Sequence, residues 1–175
     1  MNQKFWIAVA SADHVAIGKQ HGFMQVCHGK KRPLQVIKAN DVVAYYSSVQ
    51  TMGSKSPLQQ FTALGVVLSD DVYQVEMAPG LAPYRKNVQW LTSQNCSIRD
   101  LLPVLSFSQN NPHWGYMMRF GIFSILQTDM MHIAQSMGCV DWPIEGLQIK
   151  TDETSPELNA QEQEQEQEQM LLSLE

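Results

Sequence analysis

Cys27 and His28 are the pair of residues in this 175-residue chain that most directly suggest covalent chemistry. A thiol beside an imidazole is a familiar activated nucleophile. Adjacent residues on an extended backbone point to opposite faces, however, so His28 would not reach the thiol of Cys27. No nucleophile motif surrounds Cys27 either. The sequence therefore favours a small buried cysteine next to an exposed loop histidine.

Other catalytic and metal-binding patterns are missing from the sequence as well. Cys27, His28, Cys96 and His113 are not spaced like zinc ligands. There is no glycine-rich phosphate loop, no HExxH and no GxSxG. The three cysteines contain no CxxC pair, so neither a disulfide framework nor a structural zinc site is predicted. We therefore expect a protein without catalytic activity, metal or cofactor.

Residues suited to binding are easier to find, beginning with the basic loop Lys30–Arg32 directly after His28-Gly29. Arg85-Lys86 and Lys55 could extend the same charged face. Lysine and arginine side chains hold phosphates and thereby set the register of a nucleic acid. The alternative is a solvated basic loop with no ligand. The sequence leaves these two interpretations open.

Charge is unevenly distributed along the chain. Residues 1–150 contain 12 basic and 9 acidic side chains, whereas residues 151–175 contain eight acids and no lysine or arginine. A mildly basic domain can bind a phosphate backbone. Residues 161–169 alternate glutamine with glutamate and cannot bury a core. We expect a folded domain over residues 1–145 and a disordered acidic tail over residues 146–175.

The stretch Asn111–Phe123 combines several aromatic rings, two methionines, one histidine and a single arginine. A period of two predicts a strand from Trp114 onward, with Arg119 on the face opposite Trp114 and flanked by Gly115 and Gly121. A buried arginine is costly unless it is paired or meets a ligand. Arg119 would then either form a salt bridge to an aspartate in an ordinary core strand or contact a bound ligand.

The remaining pattern predicts short strands and short helices. Strands are expected at Lys4–Ala10, Asp41–Ser47, Gln60–Ser69, Val72–Met77, Tyr84–Leu91 and Gly121–Leu126. Asp70-Asp71 should turn the third of these strands into an antiparallel hairpin with the fourth. Helices are expected from an N-cap at Ser11 to about Gly18, from Pro33 to Ile37, over Ile98–Leu105, and over Asp129–Met137 after a Thr128 cap. Without long helices between strands, a compact mixed barrel or half-open twisted sheet fits best.

Seven segments, in order and spanning roughly residues 4–138, resemble the signature of the EVE-domain family. They are Phe5-Trp6-Ile7, Cys27-His28-Gly29-Lys30-Lys31, Tyr45-Tyr46-Ser47, Leu58-Gln59-Gln60-Phe61-Thr62-Ala63-Leu64-Gly65, Val72-Tyr73-Gln74-Val75, Tyr84-Arg85 and Trp114-Gly115-Tyr116-Met117-Met118-Arg119. The resemblance implies an α+β, PUA-like fold: a small twisted β-barrel of five to six mostly antiparallel strands surrounded by short helices. It also implies kinship with the YTH readers of methylated RNA.

Members of the EVE family are associated with recognition of modified bases, chiefly methyl- or hydroxymethylcytosine in DNA, often beside nucleases. The resemblance thus implies a domain that flips a modified base into an aromatic pocket, with stacking offsetting the cost of unstacking. The implied ligand-binding residues are Trp6, Ser11, Cys27, His28, Gly29, Lys30, Tyr46, Ser47, Phe61, Trp114, Met118 and Arg119. The implied phosphate-binding residues are Lys30, Lys31, Arg32 and Arg85. We expect Trp6, Cys27, Tyr46, Phe61, Trp114 and Arg119 to approach one shared concavity.

Alternatives remain at this point. The same pocket could serve a small-molecule or free-nucleotide sensor, or a reader of modified RNA. Met117-Met118, where relatives often carry smaller or aromatic residues, leaves the exact ligand open. We further expect a monomer that binds DNA rather than RNA, with a separate nuclease partner. The sequence has no signal-peptide pattern and no apolar run long enough to span a bilayer, so we expect a cytoplasmic location and no membrane contact.

Overall fold

A computed structural model describes residues 3–139 of the chain. Within them, eight strands are found: β1 (Phe5–Val9), β2 (Phe23–Met24), β3 (Val42–Val49), β4 (Pro57–Val67), β5 (Tyr73–Gln74), β6 (Tyr84–Trp90), β7 (Cys96–Ser97) and β8 (Ile122–Ile125). The α-helices are α1 (Ala12–His21), α2 (Lys31–Gln35), α3 (Ile98–Leu101) and α4 (Gln127–Ser136), and 3-10 segments cover Cys27–Gly29 and Trp114–Phe120. Five of the strands have four or more residues and the others only two. The α+β class is confirmed.

All eight strands belong to one sheet with the order β2-β6-β4-β3-β1-β8, while β5 pairs with β6 and β7 pairs with β4. The pairing of β1 with β3 is parallel, and the other pairings are antiparallel. The two ends of this sheet come together, because Cys27, just after β2, has its Sγ 3.6 Å from the carbonyl oxygen of Phe120, just before β8. The sheet is therefore curled into a half-barrel, as expected for a PUA-like fold.

The curled sheet is covered by apolar side chains on both faces. Trp6 and Ala8 of β1 pack with Val43 and Tyr45 of β3 in one buried cluster, which also includes Val15 of α1. On the other face, α3 packs against β4 and α4 against β1. The side chains buried there include Ile7, Ala44, Leu64, Ile98, Met130 and Ile133. Alternation along each strand explains this division, because neighbouring residues point to opposite faces.

The long strands and α1 follow the sequence pattern closely. The predicted strands at Asp41–Ser47, Gln60–Ser69 and Tyr84–Leu91 correspond to β3, β4 and β6. Helix α1 begins after Ser11 as expected, although the Ser11 side chain makes no capping hydrogen bond. The helix continues past Gly18 to His21 and is followed by Gly22, whose φ of +71° is a left-handed conformation that glycine adopts readily.

The hairpin predicted around Asp70-Asp71 is wrong. Tyr73 of β5 pairs with Arg85 of β6, not with β4. The edge of β4 is already occupied, because Val67 pairs with Val88. The residues after Asp71 therefore find their partner at the beginning of β6.

The strand predicted from Trp114 is also wrong, because Trp114–Phe120 forms a 3-10 helix and β8 begins only at Ile122. Its partner strand β1 is five residues long and pairs with all four residues of β8. A longer strand would therefore have left backbone groups without a partner. Arg119 is exposed, so of the two alternatives for this residue the salt bridge in a core strand is wrong.

The remaining helices differ from the predictions mainly at their ends. Helix α2 begins at Lys31 rather than at Pro33, and α3 ends at Leu101, before the interruption expected at Pro103. Helix α4 begins at Gln127 after Leu126, so the predicted Thr128 cap is wrong. Among residues 3–139, no helix has the length and apolar character needed to cross a bilayer. The predicted tail, residues 146–175, lies outside the described residues.

Candidate nucleic-acid interface

The carboxyl ends of the parallel strands β1 and β3 lie side by side at one edge of the sheet. Ala10, just after β1, donates its N–H to the carbonyl oxygen of Tyr46 at 3.2 Å. Val9 donates to the carbonyl oxygen of Gly121 at 2.9 Å, which brings the beginning of β8 to the same edge. The predicted site residues Ser11, Tyr46 and Ser47 therefore share one region of the molecule.

The turn Cys27–Gly29 is the most unusual backbone in this region, and we call it the Cys27 turn. Its three residues have successive φ values of +49°, +58° and +78°. For residues with a Cβ, a left-handed conformation costs roughly 1–2 kcal/mol each. Such strain persists only where the surroundings enforce it, and it occurs often at binding sites. The prediction of an extended backbone at Cys27 and His28 is therefore wrong.

Two glycines hold the Cys27 turn in place through close backbone contacts. A Cβ added to Gly29 would lie 2.4 Å from the Cβ of Pro83, just before β6. A Cβ added to Gly121 would lie 2.7 Å from the Sγ of Cys27. The turn is thus wedged between the beginning of β6 and the end of the 3-10 helix, and it presents His28 to solvent.

Cys27 itself is half-buried and packed between these elements. Burial raises the pKa of its thiol, and the nearby Lys30 only partly opposes this effect. The thiol is therefore protonated near neutral pH and is a weak nucleophile. The structure gives Cys27 the packing role that the sequence favoured.

Four cations surround the Cys27 turn. Lys30, Lys31 and Arg32 are exposed, and the Nζ of Lys31 lies 5.5 Å from the centre of the Tyr84 ring. Half-buried Arg85 belongs to the adjacent strand β6. None of the four forms an ion pair with a carboxylate within the described part of the chain. Their charges are available to an anionic ligand.

Arg85 is held by uncharged groups rather than by an acid. Its guanidinium carbon lies 3.8 Å from the centre of the Phe23 ring, and its Nε donates to Gln25 Oε1 at 3.4 Å. Its Nη2 lies 3.2 Å from the sulfur of Met77. Burial lowers the pKa of His14, and the positive charge of Arg85 lowers it further. At neutral pH the imidazole of His14, whose pKa Arg85 helps to lower, is therefore uncharged.

Three of the predicted aromatic residues form one contiguous group, which we call the Trp114 group. The Tyr46 ring lies 5.9 Å from Phe61 and 6.5 Å from Trp114, both in edge-to-face geometry. Tyr46 and Phe61 are buried, whereas Trp114 is only half-buried. Trp114 is therefore the member that reaches the surface, and the other two support it.

Trp114 also lines an open cavity of about 460 Å³ together with Pro112, His113, Gly115, Tyr116 and Arg119. No acid among residues 3–139 lines this cavity. The 3-10 helix joins it to the Cys27 turn, because Trp114 is its first residue and Phe120, its last, contacts Cys27. The six steps from Trp114 to Phe120, at about 2.0 Å each, make that connection roughly 12 Å long.

Ser47 and Met118 have less direct access to a ligand. Ser47 is buried, and its Oγ lies 2.8 Å from the Oγ1 of Thr62. Met118 is half-buried on the 3-10 helix. Ser47 therefore stabilises this edge of the sheet from a buried position.

Trp6 does not join the Trp114 group, so the prediction of one shared concavity is wrong for this residue. The register pairs Trp6 with Val43 and Val9 with Tyr46, which puts Trp6 and Tyr46 on opposite faces of the sheet. Trp6 also lies near the amino ends of β1 and β3, where its indole N–H donates to Asp41 Oδ2 at 2.9 Å. Its position is that of a core residue.

Asp41 and Gln25 have positioning roles that the sequence analysis did not identify. Asp41 accepts hydrogen bonds from the backbone N–H groups of Lys4 and Lys38 as well as from Trp6. The backbone of Gln25 exchanges two hydrogen bonds with the hydroxyl of Tyr45. Both roles depend on contacts between segments that are distant in sequence. The one local signal was the position of Asp41 at the beginning of an apolar strand.

This geometry defines a PUA-like domain with an aromatic and cationic edge, and comparison with known proteins assigns its family. The EVE-domain family model matches residues 4–136. UPF0310 protein msl3206 from Mesorhizobium japonicum is 45% identical over 136 residues, which is 77% of this chain and 91% of that protein. The chain therefore belongs to the EVE-domain family.

A solved structure shares this architecture at low sequence identity. The X-ray structure of protein Atu2648 from Agrobacterium tumefaciens has a TM-score of 0.52 and 12% identity, covering 80% of this chain and 97% of that one. A YTH domain of the Zygosaccharomyces rouxii MRB1 protein, solved in complex with N6-methyladenosine RNA, has a TM-score of 0.41 and 13% identity. That match covers 59% of this chain and 67% of that chain.

Proposed function

We propose that this EVE domain is a non-catalytic reader of a modified base in nucleic acid. The base, methyl- or hydroxymethylcytosine in DNA, is held against the Trp114 group, and the cations around the Cys27 turn hold the flanking phosphates. One observation carries the proposal: a half-buried tryptophan, backed by two buried rings, reaches the surface roughly 12 Å along the 3-10 helix from cations that form no ion pair with an acid of residues 3–139. Membership of a family of binding domains associated with modified bases supports it.

The binding energies expected from the Trp114 group and from the cations around the Cys27 turn are compatible with base flipping. Rotating a base out of a duplex costs a few kcal/mol. Stacking on an aromatic ring returns about 1–3 kcal/mol per base, and phosphate contacts add an electrostatic contribution that weakens with salt. In this proposal Trp114 supplies discrimination, whereas Lys30, Lys31, Arg32 and Arg85 supply general affinity.

A sensor of free nucleotides is the second candidate, and the open cavity of about 460 Å³ favours it because small-molecule sites have similar volumes. The two candidates differ in their response to salt. A polymer reader loses affinity with rising salt in proportion to its phosphate contacts, whereas a sensor of an uncharged base is nearly insensitive. A binding array of DNA and RNA strands with different modifications, repeated at several salt concentrations, separates these candidates from each other and from a reader of modified RNA.

Replacing Lys30 and Lys31 with alanine is expected to weaken binding to all sequences about equally. The slope of log affinity against log salt should fall by about one unit for each phosphate that the variant no longer holds. Both side chains are exposed, so the fold should be unaffected. Lys38→Ala is the matched control, because Lys38 is also exposed but precedes β3 at the opposite edge. A double variant that loses only its preference for the modified base would contradict the assigned role.

A chain that ends at Lys150 is expected to bind nucleic acid more tightly than the full chain. The removed segment carries eight acids, which compete with phosphates for the basic side chains. The melting temperature should change by only a few degrees, because the removed segment has too few apolar side chains to offset the entropy cost of ordering it. A full-length chain with these acids changed to amides controls for length. A large fall in melting temperature on truncation would show that the segment contributes to folding.

A further inference from the structure

We propose that the exposed side of the 3-10 helix Trp114–Phe120 is a second nucleotide subsite, which stacks an unpaired base next to the one held by the Trp114 group. This inference rests on the proposed function for its polymer ligand. It assigns a role to Tyr116 and Phe120, two rings that are not members of the Trp114 group. The ligand class is a single strand, or a duplex opened locally around the modified base.

The first observation is an exposed pair of aromatic rings. Tyr116 and Phe120 are 60% and 54% exposed, and they rank among the most exposed large apolar side chains of residues 3–139. Their ring centres are 5.6 Å apart at an interplanar angle of 90°. The edge-to-face contact fixes both rings at the surface. Exposed apolar rings that lie in contact form a surface on which a flat ligand can stack.

The second observation is an unneutralised positive charge directly beside these rings. The guanidinium carbon of Arg119 lies 5.7 Å from the centre of the Tyr116 ring. Among residues 3–139, no carboxylate forms an ion pair with Arg119 and no acid lines the adjacent cavity. A flat ring next to an unpaired guanidinium complements a nucleotide, which combines a flat base with an anionic phosphate.

The third observation is that the two ring sites adjoin the same cavity. Trp114 and Tyr116 are two residues apart on the 3-10 helix, and both line the cavity of about 460 Å³. Residues two apart on such a helix point in directions about 120° apart, so the two rings are separate surfaces beside that cavity. An unpaired base next to the one held by the Trp114 group therefore has a second ring beside the same cavity. Because every base has a flat aromatic face, the second site should add affinity without reading sequence or modification.

The test uses short single-stranded DNA with one 5-methylcytosine, with or without an abasic site directly on its 5′ or its 3′ side. Fluorescence anisotropy measures the affinity of the full chain and of a Tyr116→Ala/Phe120→Ala variant. For the wild-type chain, one of the two abasic strands should bind about tenfold more weakly than the complete strand. The variant should bind the complete strand about tenfold more weakly, with no further loss for that abasic strand. Leu126→Ala, 60% exposed just after β8, is the control and should behave like wild type.

Two outcomes would overturn this inference. If the abasic strands reduce affinity by the same factor in the variant and in wild type, no base stacks on these rings. If the variant keeps wild-type affinity for DNA but loses binding to anionic phospholipid vesicles, the surface is a membrane contact instead. Failure of the proposed function has a different result: wild type would bind methylated and unmethylated strands equally, while the abasic comparison would still decide whether the subsite exists.

Discussion

Replacing Gly29 with alanine is expected to lower the free energy of unfolding by roughly 2–5 kcal/mol. Two costs combine at this position. The residue has a φ of +78°, which strains any side chain, and the new Cβ would lie 2.4 Å from the Cβ of Pro83. Pro83 is buried and its ring is rigid, so the backbone of the Cys27 turn would have to move.

Gly80→Ala is the matched control for this substitution. Gly80 has a nearly identical φ of +79°, but a Cβ there would meet nothing within 4 Å. Its replacement should cost only the conformational strain, about 1 kcal/mol. Urea unfolding at equilibrium measures both variants, and the difference isolates the contact between Gly29 and Pro83. Equal destabilisation of the two variants would contradict the claim that this contact holds the Cys27 turn.

The long strands could be predicted from the sequence because both faces of them are buried. Val42–Tyr46 and Phe61–Leu64 are continuous runs of buried residues, and such runs leave a clear apolar signal. The carboxyl ends of β1 and β3 therefore also lay close to the predicted positions. This is why Tyr46 and Phe61 could be named as candidate pocket residues before their contact was known.

The conformation of Trp114–Phe120 could not be predicted from its own residues. A period of two fits a strand, but whether a strand forms depends on a partner, and β1 extends only one residue, Val9, beyond the four that pair with β8. The left-handed Cys27 turn is a similar case. Its strain is enforced by Pro83 and Gly121, which lie more than 50 residues away in sequence. Local pattern carries no information about such distant contacts.

The two tryptophans Trp6 and Trp114 are a further case in which local pattern does not reveal contacts between distant segments. Both occur in family-like motifs, and both are large rings suited to stacking. Only the parallel register of β1 and β3 separates them, because it places Trp6 on the face opposite Tyr46. Parallel pairing of segments more than 30 residues apart has no local signature, so the sequence alone put both residues in one pocket.

Replacing Trp114 with alanine is expected to remove the preference for the modified base, a change of roughly 1–3 kcal/mol in relative binding free energy. The loss follows from removing the one ring of the Trp114 group that reaches the surface. General affinity should remain, because the cations around the Cys27 turn are untouched. Competition binding with modified and unmodified strands of the same sequence measures this change.

Stability must be separated from recognition in this variant. Loss of a fully buried tryptophan typically costs about 3–5 kcal/mol, and the half-buried Trp114 should cost less. Trp6→Phe is the informative control, because it removes the hydrogen bond to Asp41 and lowers stability at the opposite edge of the sheet. It should nevertheless leave the preference for the modified base intact. If Trp6→Phe also loses that preference while folded, the pocket extends to a face that we assign to the core.

The affinity ratio for otherwise identical DNA with and without 5-methyl- or 5-hydroxymethylcytosine tests the proposed function most directly. It should be measured for the wild-type chain and for folded Trp114→Ala under the same salt conditions. We predict that wild type prefers one of the modified strands and that the variant binds modified and unmodified strands equally. Equal binding by wild type, or an undiminished preference in the folded variant, would contradict the proposal that the Trp114 group reads the base.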